Sequence, residues 1–192
     1  MRRVRAFHRE TKSVIAGILM AFSLTFPGQA AWAQDGNSLE KAVKATYLYK
    51  FGGFVDWPDA AFVSPSSDVH LCIAGDDPFG TTLDLAVQGQ QVEGRPVVVR
   101  RIKTAEPDSQ CHIMFISGSS AQSVAEGINA VSGTPTLTIT DSSRDAAAKG
   151  IIHFVVRDNR VRFEIDDRIA ASNGLLISSK VLSLAVSVRA RS

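Results

Sequence analysis

His112 to Ile116 (HIMFI) is apolar or aromatic at every position. A strand with no polar face has to be covered on both sides, as in the middle of a parallel sheet, so the chain around it must supply helices for two faces. It does so by alternation. Ser38 can cap a helix whose apolar positions Ala45, Leu48, Phe51 and Val55 recur at three and four, with Trp57-Pro58 as its stop. Val69 to Ala74 (VHLCIA) reads as a strand, and Gly75-Asp76-Asp77-Pro78 as a turn into a helix reaching about Val87, with an Asp as its N-cap. Val97 to Ile102 is a β-branched strand, Ser119 or Ser120 can cap a helix through Val131, and Leu137 to Thr140 is a further strand. After Gly150, the segments 151–156 and 160–165 flank Arg157-Asp158-Asn159 as a hairpin. Asp166 to Ala171 then reads as a helix stopped by Gly174, and Ser178 or Ser179 opens a last helix over Leu182 and Leu184. The pattern predicts an α/β fold: a single-domain layered sheet, mostly parallel with one antiparallel hairpin, and helices on both faces.

The first 33 residues stand outside this pattern. Arg2, Arg3, Arg5, Arg9 and Lys12 form a basic start, Ser13 to Phe26 an apolar middle, and Ala31-Trp32-Ala33 a small-residue cleavage site. The apolar middle is shorter than the ~20 residues that cross a bilayer, so it reads as a cleaved secretory signal peptide rather than an anchor. Residues 34–192 are then the working domain, placed outside the cytoplasm. The leader carries five of the 21 Lys and Arg and one of the 19 Asp and Glu, so the rest of the chain holds 16 cations against 18 anions. The basic balance of the whole sequence belongs to the leader, and with only short clusters such as Arg100-Arg101-Lys103 the domain lacks the basic face that nucleic acid requires.

Cys72 and Cys111 are the two cysteines, and an even count in an exported chain reads first as a disulfide. Closing a loop of about forty residues would constrain the unfolded chain by roughly 4 kcal/mol. A pair of buried free thiols is the alternative. Their spacing excludes a C-x-x-C redox centre.

Chemistry is sparse. His70, His112 and His153 fall in or beside strands, outside any metal-ligand spacing, so neither a metal nor another cofactor is expected. Ser117-Gly118-Ser119-Ser120 ends a strand but lacks the G-x-S-x-G elbow. Asp76/Asp77 and Asp166/Asp167 are adjacent pairs whose side chains point apart, so neither forms an acid/base couple, and no catalytic residue is assigned. The turn bearing Asp76 and Asp77 is a candidate ligand site, because strand-to-helix turns of α/β sheets often bind ligands. Two carboxylates there favour a cationic or hydroxyl-rich ligand over a phosphate. Tyr47, Tyr49, Phe51, Phe54 and Trp57 crowd one segment; core packing is their first reading and a partner surface the second.

The runs 44–58 (KATYLYKFGGFVDWP), 72–80 (CIAGDDPFG), 92–102 (VEGRPVVVRRI), 111–119 (CHIMFISGS), 137–141 (LTITD), 150–166 (GIIHFVVRDNRVRFEID) and 174–185 (GLLISSKVLSLA) together resemble the YfiR family of periplasmic proteins. The resemblance implies a repressor, not an enzyme. Such proteins hold down an inner-membrane diguanylate cyclase, lowering cyclic di-GMP and biofilm formation, and an outer-membrane lipoprotein related to peptidoglycan-binding proteins can sequester them. It also implies the Cys72–Cys111 pairing, partner contacts around Glu164 and, in the following helix, Ile169 and Ala170, and a homodimer. The second cysteine pair of some members has no counterpart here, since no cysteine lies between Asp141 and Val156. A periplasmic small-molecule-binding module is the second reading and an envelope hydrolase the third.

Overall fold

The structure, a computed structural model, describes residues 30–191, with side chains from Gly36 onward. The expected leader lies outside the described residues except for Ala30 to Ala33, which open the first helix. In chain order the elements are α1 (Ala30–Gly52), β1 (Val55–Asp56), β2 (Val69–Gly75), α2 (Thr81–Val87), β3 (Gln91–Val92), β4 (Arg95–Ile102), β5 (Ile113–Gly118) and α3 (Val124–Ala130). Then come β6 (Leu137–Asp141), β7 (Ile152–Arg157), β8 (Arg160–Asp166), α4 (Asp167–Ser172), β9 (Leu176–Ile177), α5 (Ser179–Leu182) and β10 (Ser187–Arg189).

Eight strands form one sheet in the order β10-β8-β7-β6-β5-β2-β4-β3, and β1 pairs with β9 in a small antiparallel sheet. Within the large sheet β3–β4 and β7–β8 are antiparallel, and the other five pairings are parallel. The predicted layered, mostly parallel sheet is therefore present, with a second short antiparallel pair, β3–β4, at its edge. Strand β5 lies between β6 and β2, inside this row, and is buried at Ile113 through Ser117, as its unbroken apolar run demands.

Alternation along the strands sorts the core into two layers. Leu71 and Ile73 of β2, Ile113 and Phe115 of β5, and Leu137 and Ile139 of β6 join the larger cluster, with Leu48 and Phe51 of α1 and Leu83 of α2. Cys72, Ala74, Met114 and Ile116 point the other way, into a smaller cluster with Val124 of α3 and Cys111. Cys72 and Cys111 are joined by a disulfide with Cα atoms 5.9 Å apart, which ties β2 to the entry of β5 on that smaller side.

Several local expectations moved. Helix α1 ends at Gly52, not at Trp57-Pro58, and Val55 lies on β1; the helix begins at Ala30, so Ser38 is inside it rather than at its cap. Helix α2 takes Gly80 as N-cap; Asp77 instead accepts the N–H groups of Phe79 and Gly80 and closes the turn before it. Helix α3 starts later than Ser119 or Ser120, at Ser123, whose hydroxyl and Glu126 form a reciprocal capping box. Helix α5 stops at Leu182, and the chain then returns as β10. The hairpin β7–β8 turns through Asp158 and Asn159, with φ of 51° and 54°, the left-handed pair that a two-residue hairpin needs. Asp166 caps α4 through the N–H groups of Arg168 and Ile169, and Gly174 follows its end as read from the sequence.

Gly75 has φ of 90°, and a Cβ there would lie 2.4 Å from the Gly118 carbonyl oxygen. The Asp76 N–H donates to that same oxygen at 3.0 Å. The ends of β2 and β5 are thus drawn together at the point where the chain order reverses in the sheet, the place where such folds often hold ligands.

Lys44 is 3 % exposed and bonds to Asp141, which is 5 % exposed, and to Glu40 at 2.6 Å. It pins α1 to the end of β6. Removing one member of a buried ion pair leaves an uncompensated charge, at a cost of roughly 3–5 kcal/mol. Lys44→Met should therefore lower the denaturation midpoint strongly, and Lys44→Met with Asp141→Leu should regain much of the loss. Equal destabilisation by the single and double substitutions would contradict this role for the pair.

Candidate interaction site

Glu164, Ile169 and Ala170 meet where β8 runs into α4, and the surrounding residues build a cleft of about 380 Å³ lined by Lys149, Gly150, His153, Glu164, Asp166, Ile169 and Arg189. The sequence dictates the arrangement. Along β8 Phe163 and Ile165 turn into the core while Glu164 faces outward, and Asp166 stops the strand by capping α4. Ile169, on the first turn of α4, is half-buried at the edge of the cleft. Ala170 is 0 % exposed and packs in the core, so it supports the surface from beneath rather than lying on it.

Glu164 accepts from Lys149 Nζ at 2.7 Å and from Arg157 at 3.2 Å. The Lys149 bond, with the nearby cations, holds its carboxyl below the usual range against the opposing effect of burial. For Asp166, burial opposes ionisation, but bonds from the Arg168 guanidinium and the N–H groups of Ile169 and Arg168 outweigh it, so its carboxyl is also held low. Arg191 adds a two-point contact to Asp167 at 2.7 and 2.8 Å. The face presents charges of both signs in fixed positions around one aliphatic side chain, which suits orientation-specific docking.

The turn over Asp76 and Asp77 is divided between two tasks. Arg101 donates to Asp77 at 2.7 Å and forks onto Asp84 at 3.0 Å. Burial of Asp77 is outweighed by the Arg101 bond and two backbone N–H groups, which hold its carboxyl low. Asp77 is thus engaged within the protein. Asp76 is exposed beside a shallow, open hollow that Ser117, Ser123 and Arg144 also line.

The histidines lie apart from the serines of that hollow. Arg144 donates to the Ser117 hydroxyl at 2.8 Å. His153 Nδ1 lies 2.8 Å from the Thr140 hydroxyl, which is buried and accepts the Gly150 N–H. His112 accepts the His70 N–H at Nδ1 and reaches the Ala61 carbonyl through Nε2, 3.0 Å in each case; Phe62 stacks on its ring at 4.4 Å. Arg95 covers the ring of Phe62 at 3.9 Å and donates to the Ser64 and Ser67 carbonyls, so one ladder fastens the loop 58–68 to the sheet. Of the aromatic segment, Phe51 is buried, while Tyr47, Tyr49, Phe54 and Trp57 are half-buried against the core. Among the described residues no group of three or more His, Cys, Asp or Glu is placed to hold a metal ion.

Lys44, Asp141, Thr140 and Lys149 belong to no motif in the sequence, although Lys44 falls on the helical stripe of Leu48 and Phe51, a signal that it is buried.

The model of the YfiR/HmsC-like family matches residues 41–186, which takes in every element from the body of α1 to α5. The chain belongs to the YfiR/HmsC-like family. No curated protein matches it. The matched span of this YfiR-like chain takes in the disulfide, the Lys44–Asp141 pair and, on the β8–α4 face, Lys149, Glu164, Asp166 and Ile169. No described helix is long and apolar enough to cross a membrane.

The two buried imidazoles set a pH response. Burial first, then His70 and Arg95, hold His112 below its ordinary value of 6.5, against the bond to Ala61; burial and then Lys149 do the same for His153. Unfolding lets both bind protons, so their contribution is present above pH 6.5 and is lost as pH falls below it. The urea midpoint should decline between about pH 7 and 5, before carboxylates titrate at about pH 4. His112→Gln with His153→Gln should flatten that decline, and an unaltered slope would contradict it.

Proposed function

We propose that this protein is a periplasmic regulator that binds the periplasmic portion of an inner-membrane diguanylate cyclase and holds the enzyme in a low-activity state. The observation that carries the reading is the family match across residues 41–186. The domain acts by binding rather than by catalysis, and an outer-membrane lipoprotein of the peptidoglycan-binding kind relieves repression by taking the regulator away.

The physical demand is a difference in affinity between two states of the cyclase. Moving a membrane enzyme from mostly on to mostly off takes about 5.5 kcal/mol of preference for the off state. A single modest interface supplies that when it has a buried anchor and well-placed charges. Glu164 and Ile169 are the residues assigned to it. Glu164 is held by Lys149 and Arg157 in one orientation, and Ile169 supplies the apolar contact beside it. The disulfide braces β2 and the entry of β5, so its reduction lowers the fraction of molecules folded for binding and raises cyclase output.

Deleting the gene should raise cyclic di-GMP and biofilm. Wild-type protein should restore both, whereas Glu164→Lys and Ile169→Asp should not, at unchanged periplasmic abundance. Glu164 is partly buried, but its partners Lys149 and Arg157 are exposed, and pairs of that kind contribute about 0–1 kcal/mol, so Glu164→Lys tests the surface at a small cost to the fold. A deletion that changes neither cyclic di-GMP nor biofilm would overturn this function.

A further inference from the structure

The aromatic core under α1 runs out before the surface does. Tyr47 stacks on Phe51 at 5.6 Å and meets Phe163 and Phe154 at 6.0 and 6.3 Å. One step further along the hairpin the same face of β7 and β8 carries Val156 paired with Val161. On the helix side the next residues are Val43 and Leu39. Nothing on the described chain closes this end: Leu39 is 67 % and Val156 43 % exposed, and a groove of about 650 Å³ lies between α1 and the hairpin.

The charges around the groove are unequal. Its one acidic residue, Glu40, is bound to Lys44. Its two cations, Arg160 and Arg162, are exposed and form no ion pair among the described residues. A concave apolar trough lined by Val161 of β8 and bordered by the two arginines that flank it on that strand has the chemistry that receives an amphipathic helix bearing carboxylates along one edge. A flat lipid surface would satisfy the cations but would not fill the trough.

We infer that the groove between α1 and the β7–β8 hairpin docks an acidic amphipathic helix of a protein partner, with its apolar residues against Leu39, Val43, Val156 and Val161 and its carboxylates on Arg160 and Arg162. The groove lies toward the hairpin end of β8, away from the β8–α4 face, so it is a second contact surface and goes beyond the regulatory function proposed above. With both surfaces in use, one strand would be read at its two ends. Two contacts on one rigid domain strengthen binding beyond either alone.

The test is site-specific photocrosslinking in cells that make the full chain, with a benzophenone residue replacing Leu39 or Val156, and replacing the exposed Leu85 of α2 as control. The proposal expects both groove positions, and not the control, to label the same protein. Sequencing of the crosslinked peptide should show apolar residues spaced three and four apart with Asp or Glu beside them. Arg160→Glu with Arg162→Glu should cut the yield several-fold at an unchanged melting temperature, since both side chains are exposed. Labelling no stronger than at Leu85, labelling of phospholipid, of a second copy or of residues before Gly36, or a yield indifferent to the charge reversal would each overturn it. The readout does not involve cyclic di-GMP, so it stands or falls separately from the cyclase reading.

Discussion

One buried ammonium positions α1, the longest helix among the described residues. Lys44 sits in the body of α1 at a position that the helical period turns toward the core, and there it meets Asp141 at the end of β6. Apolar packing alone would tolerate some sliding and rotation of a helix on a sheet, whereas an ion pair removed from water tolerates little, because any displacement leaves a charge unpaired. With α1 held there, Tyr47 and Phe51 fall on Phe154 and Phe163 of the hairpin, and the core closes over β7 and β8. The same placement carries Leu39 and Val43 past the last covered rung and leaves the groove open.

The hairpin is the element on which the surfaces depend. Its left-handed turn at Asp158 and Asn159 sets the register, so that Phe154 faces Phe163 and His153 faces Glu164. Since side chains alternate across a strand, that register sends Phe163 and Ile165 inward and Glu164 outward, and it delivers Asp166 to the cap of α4. A shift of one residue would bury Glu164 and expose Phe163. The β8–α4 face therefore rests on turn geometry and core packing as much as on its own charged residues.

The sequence showed the parts whose physics is local. An unbroken apolar run marked β5, a short apolar-rich segment marked β2, and the Asp158-Asn159 turn marked the hairpin. The two-residue strands β1, β3 and β9 and the three-residue β10 escaped notice, because such short segments have no period to detect. The start of α3 was legible in the S-x-x-E spacing of Ser123 and Glu126, yet nearer serines at 119 and 120 offered the same cap. The family resemblance drew attention to Glu164 and Ile169, which share one cleft, and equally to Ala170, whose burial is a tertiary fact. The Asp76–Asp77 turn could not be judged from sequence, because the arginine that engages Asp77 comes from β4, a separate strand.

The disulfide, the buried ion pair and the charged face together make a rigid body, and the proposed function has its surface recognise another protein. The most direct measurement is calorimetric titration of the purified, oxidised domain into the purified periplasmic domain of the membrane diguanylate cyclase from the same cell. The account predicts saturable binding with a Kd of about 1 µM or tighter. An absence of heat and of any complex at concentrations of about 100 µM would contradict it.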